Sequence, residues 1–196
     1  MVDYFAHCRS FSWFFFIFLC LSSTAEMQPE LTADDVEGLH DYAGRGDVEA
    51  QVRLGRLYQQ GLGVRQDDVE AMKWYFLAAE QGDAFAELSL GLMHAEGRGV
   101  PQDFSVAIDW YRRSVERGNS DAPFYLGRAY LEGFGVPQDF VSSHMWLSIA
   151  ESWSTSDFRE TIVELLDGLA DRMTTEDVAE SQRQTRQWNT AHPVDP

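Results

Sequence analysis

The chain has 196 residues and a formal net charge of −17, from 15 basic and 32 acidic side chains. Such an acidic surface argues against nucleic acid or an anionic membrane as partner. The only cysteines, Cys8 and Cys20, lie near the start, so nothing downstream can be stapled by disulfides and the fold must be held by packing.

The N-terminus reads as a secretory signal peptide, residues 1–25. A short leader precedes an apolar run, Phe11–Leu21, which is followed by Ser-Ser-Thr-Ala. Ser23 and Ala25 suit the −3 and −1 positions, so cleavage is expected before Glu26. The run is short against the roughly 20 residues of a membrane span. Retention as an anchor is the alternative. Leu19 before Cys20 does not fit a lipoprotein signal. The mature chain is thus expected to be periplasmic or secreted, with no stable membrane span.

Residues 26–46 read as a leader and an N-terminal capping helix. Thr32 is a possible cap, and Val36, Leu39, His40 and Ala43 share one helical face. Arg45-Gly46-Asp47 spells RGD. The same residues are needed as a helix stop and a helix cap, which is the reading favoured over integrin-type binding.

From residue 47 to 153 one unit occurs three times. GLGVRQD, GRGVPQD and GFGVPQD begin at Gly61, Gly97 and Gly133, each 36 residues after the last. Leu54-Gly55, Leu90-Gly91 and Leu126-Gly127 repeat upstream; Trp74-Tyr75, Trp110-Tyr111 and Trp146-Leu147 repeat downstream. Ala50, Leu54, Leu57 and Tyr58 fall on one helical face, and Ala71, Trp74, Tyr75, Ala78 and Ala79 on another. Each unit is therefore a pair of helices. Glycine inside the first helix costs about 1 kcal/mol against alanine, so three in register imply close approach of a neighbour. Gly61, Gly97 and Gly133 suit left-handed caps. Asp67, Asp103 and Asp139 are placed to cap the second helix, and Asp67 with Glu70 suggests a capping box. Asp47, Asp83 and Asn119 are placed to cap the first helices. Trp110, in the middle unit, is expected in the core.

This pattern resembles the Sel1-like repeat, a helix-pair relative of the tetratricopeptide repeat. The resemblance implies an all-α, right-handed α/α superhelical solenoid of about eight helices with capping helices at both ends. It also implies a concave surface for peptides or proteins, as in periplasmic relatives that bind sensor domains or serve envelope assembly. His94 for Tyr, Ser143 for Ala, Leu147 for Tyr, and Ser154 where Gly82 and Gly118 would predict glycine are the departures from the pattern.

After Glu151 the period is lost. Residues 154–189 read as C-terminal capping helices. Phe158, Ile162, Leu165, Leu166 and Leu169 form an apolar stripe, and a second helix is capped by Thr174 or Thr175. The last stretch, from Met173 to Trp188, resembles the closing helix of Sel1-like proteins. Residues 190–196 read as a disordered tail.

No HExxH, CxxC, GxSxG or Walker motif is present. The GxG of each unit lies between two helices, with no strand before it and no GKS/T, and so reads as a turn. His40, His94 and His144 are far apart in sequence; His94, in the tyrosine slot, reads as a packed helix residue. No catalytic residue, cofactor or metal is expected. Some cysteine-rich Sel1-like proteins are described as β-lactamases, but this chain lacks those cysteines and any serine-x-x-lysine motif.

The leading expectation is a non-enzymatic interaction scaffold or regulator in the cell envelope. A cell-wall-directed enzyme or enzyme subunit and a self-assembling structural protein are the alternatives. The candidate partner-binding residues come from first-helix positions outside the apolar stripe. By column these are Arg53, Ser89 and Tyr125, then Arg56, Leu92 and Arg128, then Gln60, Glu96 and Glu132. Arg53, Arg56, Tyr125 and Arg128 are the candidates, because arginine and tyrosine are enriched at binding hot spots.

Overall fold

A computed structural model of the protein describes residues 33–154 and 158–192. The signal segment, the leader and residues 193–196 lie outside the described residues. Among the described residues there are nine helices and no strand, against the eight or so helices expected. They are α1 (Ala33–Gly44), α2 (Val48–Gln60), α3 (Asp68–Glu80), α4 (Ala84–Glu96), α5 (Phe104–Glu116), α6 (Ala122–Glu132), α7 (Phe140–Trp153), α8 (Phe158–Ala170) and α9 (Thr175–Ala191). The last runs two residues into the segment read as a tail.

The pairs α2–α3, α4–α5 and α6–α7 are the repeated units, and each pair packs internally more than on the next. Gly61 stops α2 at φ 72°, its N–H bonded to the Leu57 carbonyl, and Gly97 and Gly133 do the same for α4 and α6. An L side chain rarely adopts that conformation. The Asp67 carboxylate then accepts the Val69 and Glu70 N–H groups, both at 3.0 Å. The expected capping box is not formed. Glu70 instead pairs with Lys73, and the Asp67 N–H donates to the Tyr58 carbonyl at 2.9 Å. That last bond recurs at Asp103 and Asp139, so it fixes the return of the chain in every unit.

Asp47 and Asp83 cap α2 and α4. Asn119 does so for α6 by accepting from the Asp121 and Ala122 N–H groups, while Asp121 makes no side-chain cap bond.

The mid-helix glycines do what their cost implies. A Cβ on Gly55, Gly91 or Gly127 would lie 2.6, 2.5 or 2.7 Å from Tyr75, Tyr111 or Leu147. Those three second-helix side chains are the buried ones, at 0%, 5% and 0% exposure. The adjacent tryptophans, including Trp110, are only half-buried, contrary to the expectation for Trp110. Each meets a ring on another helix: Trp74 meets His40 of α1, Trp110 meets Phe76 of α3, and Trp146 meets Trp188 of α9. The serine that departs from the pattern at 143 is wholly buried, its hydroxyl donating to the Gly127 carbonyl at 2.8 Å.

The caps keep the repeat spacing, contrary to the expectation that the period is lost after Glu151. Helix α1 holds the place of a second helix and packs on α2, with Val36 and Ala43 in a cluster with Leu54 and Leu57. Helix α8 starts 36 residues after α6, so Ile162 falls in the slot of Leu126 and is buried at 2%. The glycine slot, however, holds Val163. A branched side chain there leaves no notch for a second helix. Helix α9 packs chiefly on α7 instead.

Candidate partner-binding face on the first helices

The four candidate residues fall into two groups, two units apart. Arg53 and Arg56 are exposed on α2. Arg56 places its guanidinium 5.4 Å from the centre of the Phe85 ring on α4. Phe85 is 41% exposed, and its other neighbour is the Tyr75 ring, edge-on at 6.3 Å. Tyr75 is fixed from below: its ring fills the Gly55 notch and its hydroxyl donates to Gln59 Oε1 at 3.0 Å. Burial, partly offset by Arg56 and Arg98, pushes the Tyr75 hydroxyl up to about 12, so it remains a neutral donor.

Tyr125 and Arg128 on α6 are half-buried. Tyr125 stacks on Tyr111 with centroids 5.5 Å apart and meets Phe124 edge-on. Arg128 sits 5.9 Å from the Phe124 ring centre. Burial first, then the nearby Asp121 and Glu96 charges, raise the Tyr125 hydroxyl, and Arg128 opposes them. Glu96 closes this group; burial raises its carboxyl, Arg98 pulls it down and Asp68 pushes it up again. Arg98 itself is bound to Asp68 at 2.6 Å and to the Gln59 carbonyl.

The columns read from sequence are therefore not uniformly exposed. Ser89 is buried, with its hydroxyl on the Phe85 carbonyl at 2.9 Å. Leu92 packs against the core of its unit. Phe85 is the surface residue that the columns missed. Its signal was present: a phenylalanine in the slot that holds Glu49 and Asp121 in the other units.

Elsewhere, the histidines are packing groups. His40 Nε2 lies 3.0 Å from the Tyr58 hydroxyl and His144 Nδ1 3.0 Å from Ser181 Oγ. His94 Nδ1 is buried without a partner, and burial lowers its pKa despite Asp103. Arg45 pairs with Asp41, Gly46 has φ 95° and Asp47 caps α2, so the RGD triplet is occupied by structural roles. Among the described residues no cluster of three or more His, Cys, Asp or Glu could hold a metal, and no helix is long and apolar enough to cross a membrane.

The helix pairs and their notch glycines define a solenoid repeat, and its family follows from comparison. The Sel1 repeat pattern matches residues 48–83, 84–119 and 120–152, more than half of the chain. The protein belongs to the Sel1 repeat family. It is similar to a solved Sel1 repeat protein from Oxalobacter formigenes, with 30% identity over 63% of this chain and 51% of that one, and a TM-score of 0.59. It is also similar to c5321, described as a protective antigen present in uropathogenic Escherichia coli strains displaying an SLR fold. That match has 25% identity over 80% of this chain and 40% of that one, and a TM-score of 0.50. The chain thus spans about half, or less, of the length of these solved relatives. No curated protein matches it.

Proposed function

We propose that the protein is an exported, non-enzymatic interaction scaffold or regulator of the cell envelope, and that the face of its first helices holds a protein partner. Sel1 repeats generally mediate protein–protein contacts, which supports the class. The observation that carries the site is the placement of Arg53 and Arg56 on α2 and of Tyr125 and Arg128 on α6, with Arg56 beside the Phe85 ring and Tyr125 and Arg128 beside the Phe124 ring. Export rests on the Phe11–Leu21 run and the small residues after it.

The test is capture of partners from envelope extract with the purified chain. The double variant Arg56→Glu with Arg128→Glu should lose the retained partner while its helical circular dichroism stays unchanged. Tyr125 is kept in that variant, because it packs on Tyr111 and its truncation would open a cavity. Undiminished capture would remove the first-helix face from consideration. Intact mass of the exported protein should correspond to a start at Glu26.

A further inference from the structure

Within that face, and resting on that reading, we infer that the anchor is the cluster Arg53, Arg56 and Phe85, and that it takes an acidic peptide segment with an apolar side chain next to its carboxylate. Arg53 and Arg56 are three residues apart, so they share one side of α2. Neither forms an ion pair among the described residues, although the chain carries 32 acidic side chains and Glu49 lies one turn before Arg53. Asp83, the N-cap of α4, accepts the Ala86 N–H at 2.7 Å. Phe85 adds an exposed ring that is already held in place by Arg56 and Tyr75. An exposed ring in contact with one guanidinium, with a second about one turn away on the same helix side, presents apolar surface and positive charge together, and the less such a site must be ordered on binding, the less affinity is lost. At the other group Tyr125 is stacked and half-buried.

The length scale decides the kind of partner. At physiological salt, charges farther than about 8 Å are largely screened. A short acidic segment on α2 therefore feels the two arginines more than the net charge of −17. A nucleic-acid duplex or an anionic bilayer is wide enough to meet the acidic surface around them.

The probe is a fluorescein-labelled peptide of alternating glutamate and leucine, measured by anisotropy. It should bind saturably, and more weakly at high salt. Its glutamine–leucine and glutamate–serine counterparts should bind about tenfold more weakly, as should Arg53→Glu/Arg56→Glu and Phe85→Ala, each losing a hot-spot contact. Arg53→Gln/Arg56→Gln guards against a folding defect in the charge reversal. Arg186→Glu, an exposed position on α9 outside the first helices, should bind the peptide as the parent does. Loss in Arg128→Glu with full binding by Arg53→Glu/Arg56→Glu would overturn the anchor and leave the first-helix face standing. No saturable binding by the parent chain, with envelope capture intact, would overturn the acidic peptide class alone. Loss of both would bring down the scaffold reading as well.

Discussion

Gly91 and Tyr111 carry the residue-scale logic of this fold. The ring of Tyr111 crosses α4 where Gly91 has no side chain, and an added Cβ would sit 2.5 Å from the ring and 3.1 Å from the Ala107 carbonyl. Ala107 belongs to the helix backbone and cannot rotate away. Gly91→Ala should therefore destabilise the protein by about 1–3 kcal/mol, overpacking outweighing the helix-propensity gain of about 1 kcal/mol. Gly168→Ala is the control, in helix α8 with nothing within 4 Å, and should stabilise by roughly 0.5–1 kcal/mol. Urea denaturation of the two variants should give midpoints that move in opposite directions; a shared direction would mean that Gly91 is not a packing notch. The odd histidine at 94 has a similar local reason. The tyrosines of the other units bond to the residue 18 positions earlier, Tyr58 to His40 and Tyr130 to Arg112. In the middle unit that earlier residue is Phe76, which has no hydrogen-bonding group, and His94 Nδ1 there is left without a partner.

At the scale of elements, α9 is the helix held least by apolar burial. Of its 17 residues only Ser181 is fully buried, with Trp188 packed on Trp146 at 4.9 Å as the main apolar contact. The Ser181 hydroxyl donates to the Val178 carbonyl at 2.8 Å, so its single proton is used and His144 Nδ1–H must be the donor across the 3.0 Å contact with α7. Acid then adds its proton at Nε2. Burial alone lowers the His144 pKa below 6.5, and no carboxylate on any packed helix offsets it. A histidine with a lowered folded pKa contributes stability that is present above the unfolded value and lost as pH falls through the folded one. Docking of α9 should therefore weaken as pH drops below 6.5. Protection of the α9 amides against hydrogen exchange, corrected for the intrinsic pH dependence of exchange, should fall there, and His144→Gln, which keeps an N–H donor for the interface, should remove most of that pH dependence. An unchanged pH profile in His144→Gln would assign the effect to another group. Because the readout is confined to α9, the similarly lowered His94 in the middle unit does not confuse it.

For the whole molecule, the open end of the third unit is what the cap must cover. Phe124, Leu147 and Ala150 share a cluster with Ile162 and Leu169 of α8. A chain stopped after Glu151 would expose that surface. Losing burial of two large side chains, at about 1.5–3 kcal/mol each, removes a large part of a stability of 5–15 kcal/mol. Such a truncation should aggregate or melt early in size-exclusion and thermal unfolding runs; a soluble chain with a cooperative transition near the parent's would show that the cap is dispensable. The sequence by itself determined the helix pairs, their period, the glycine stops, the aspartate caps and the place of both terminal caps. These depend on contacts within a unit or at a fixed offset, so they are written into the repeated motif. The tertiary structure decided what the motif does not hold. It turned Ser89 inward, packed Tyr125 on Tyr111, left the tryptophans half-buried and sent α9 to α7 rather than α8. It also brought Phe85 out beside Arg56. In each case the outcome depends on which side chain the neighbouring helix presents, and the residues at those positions differ from unit to unit.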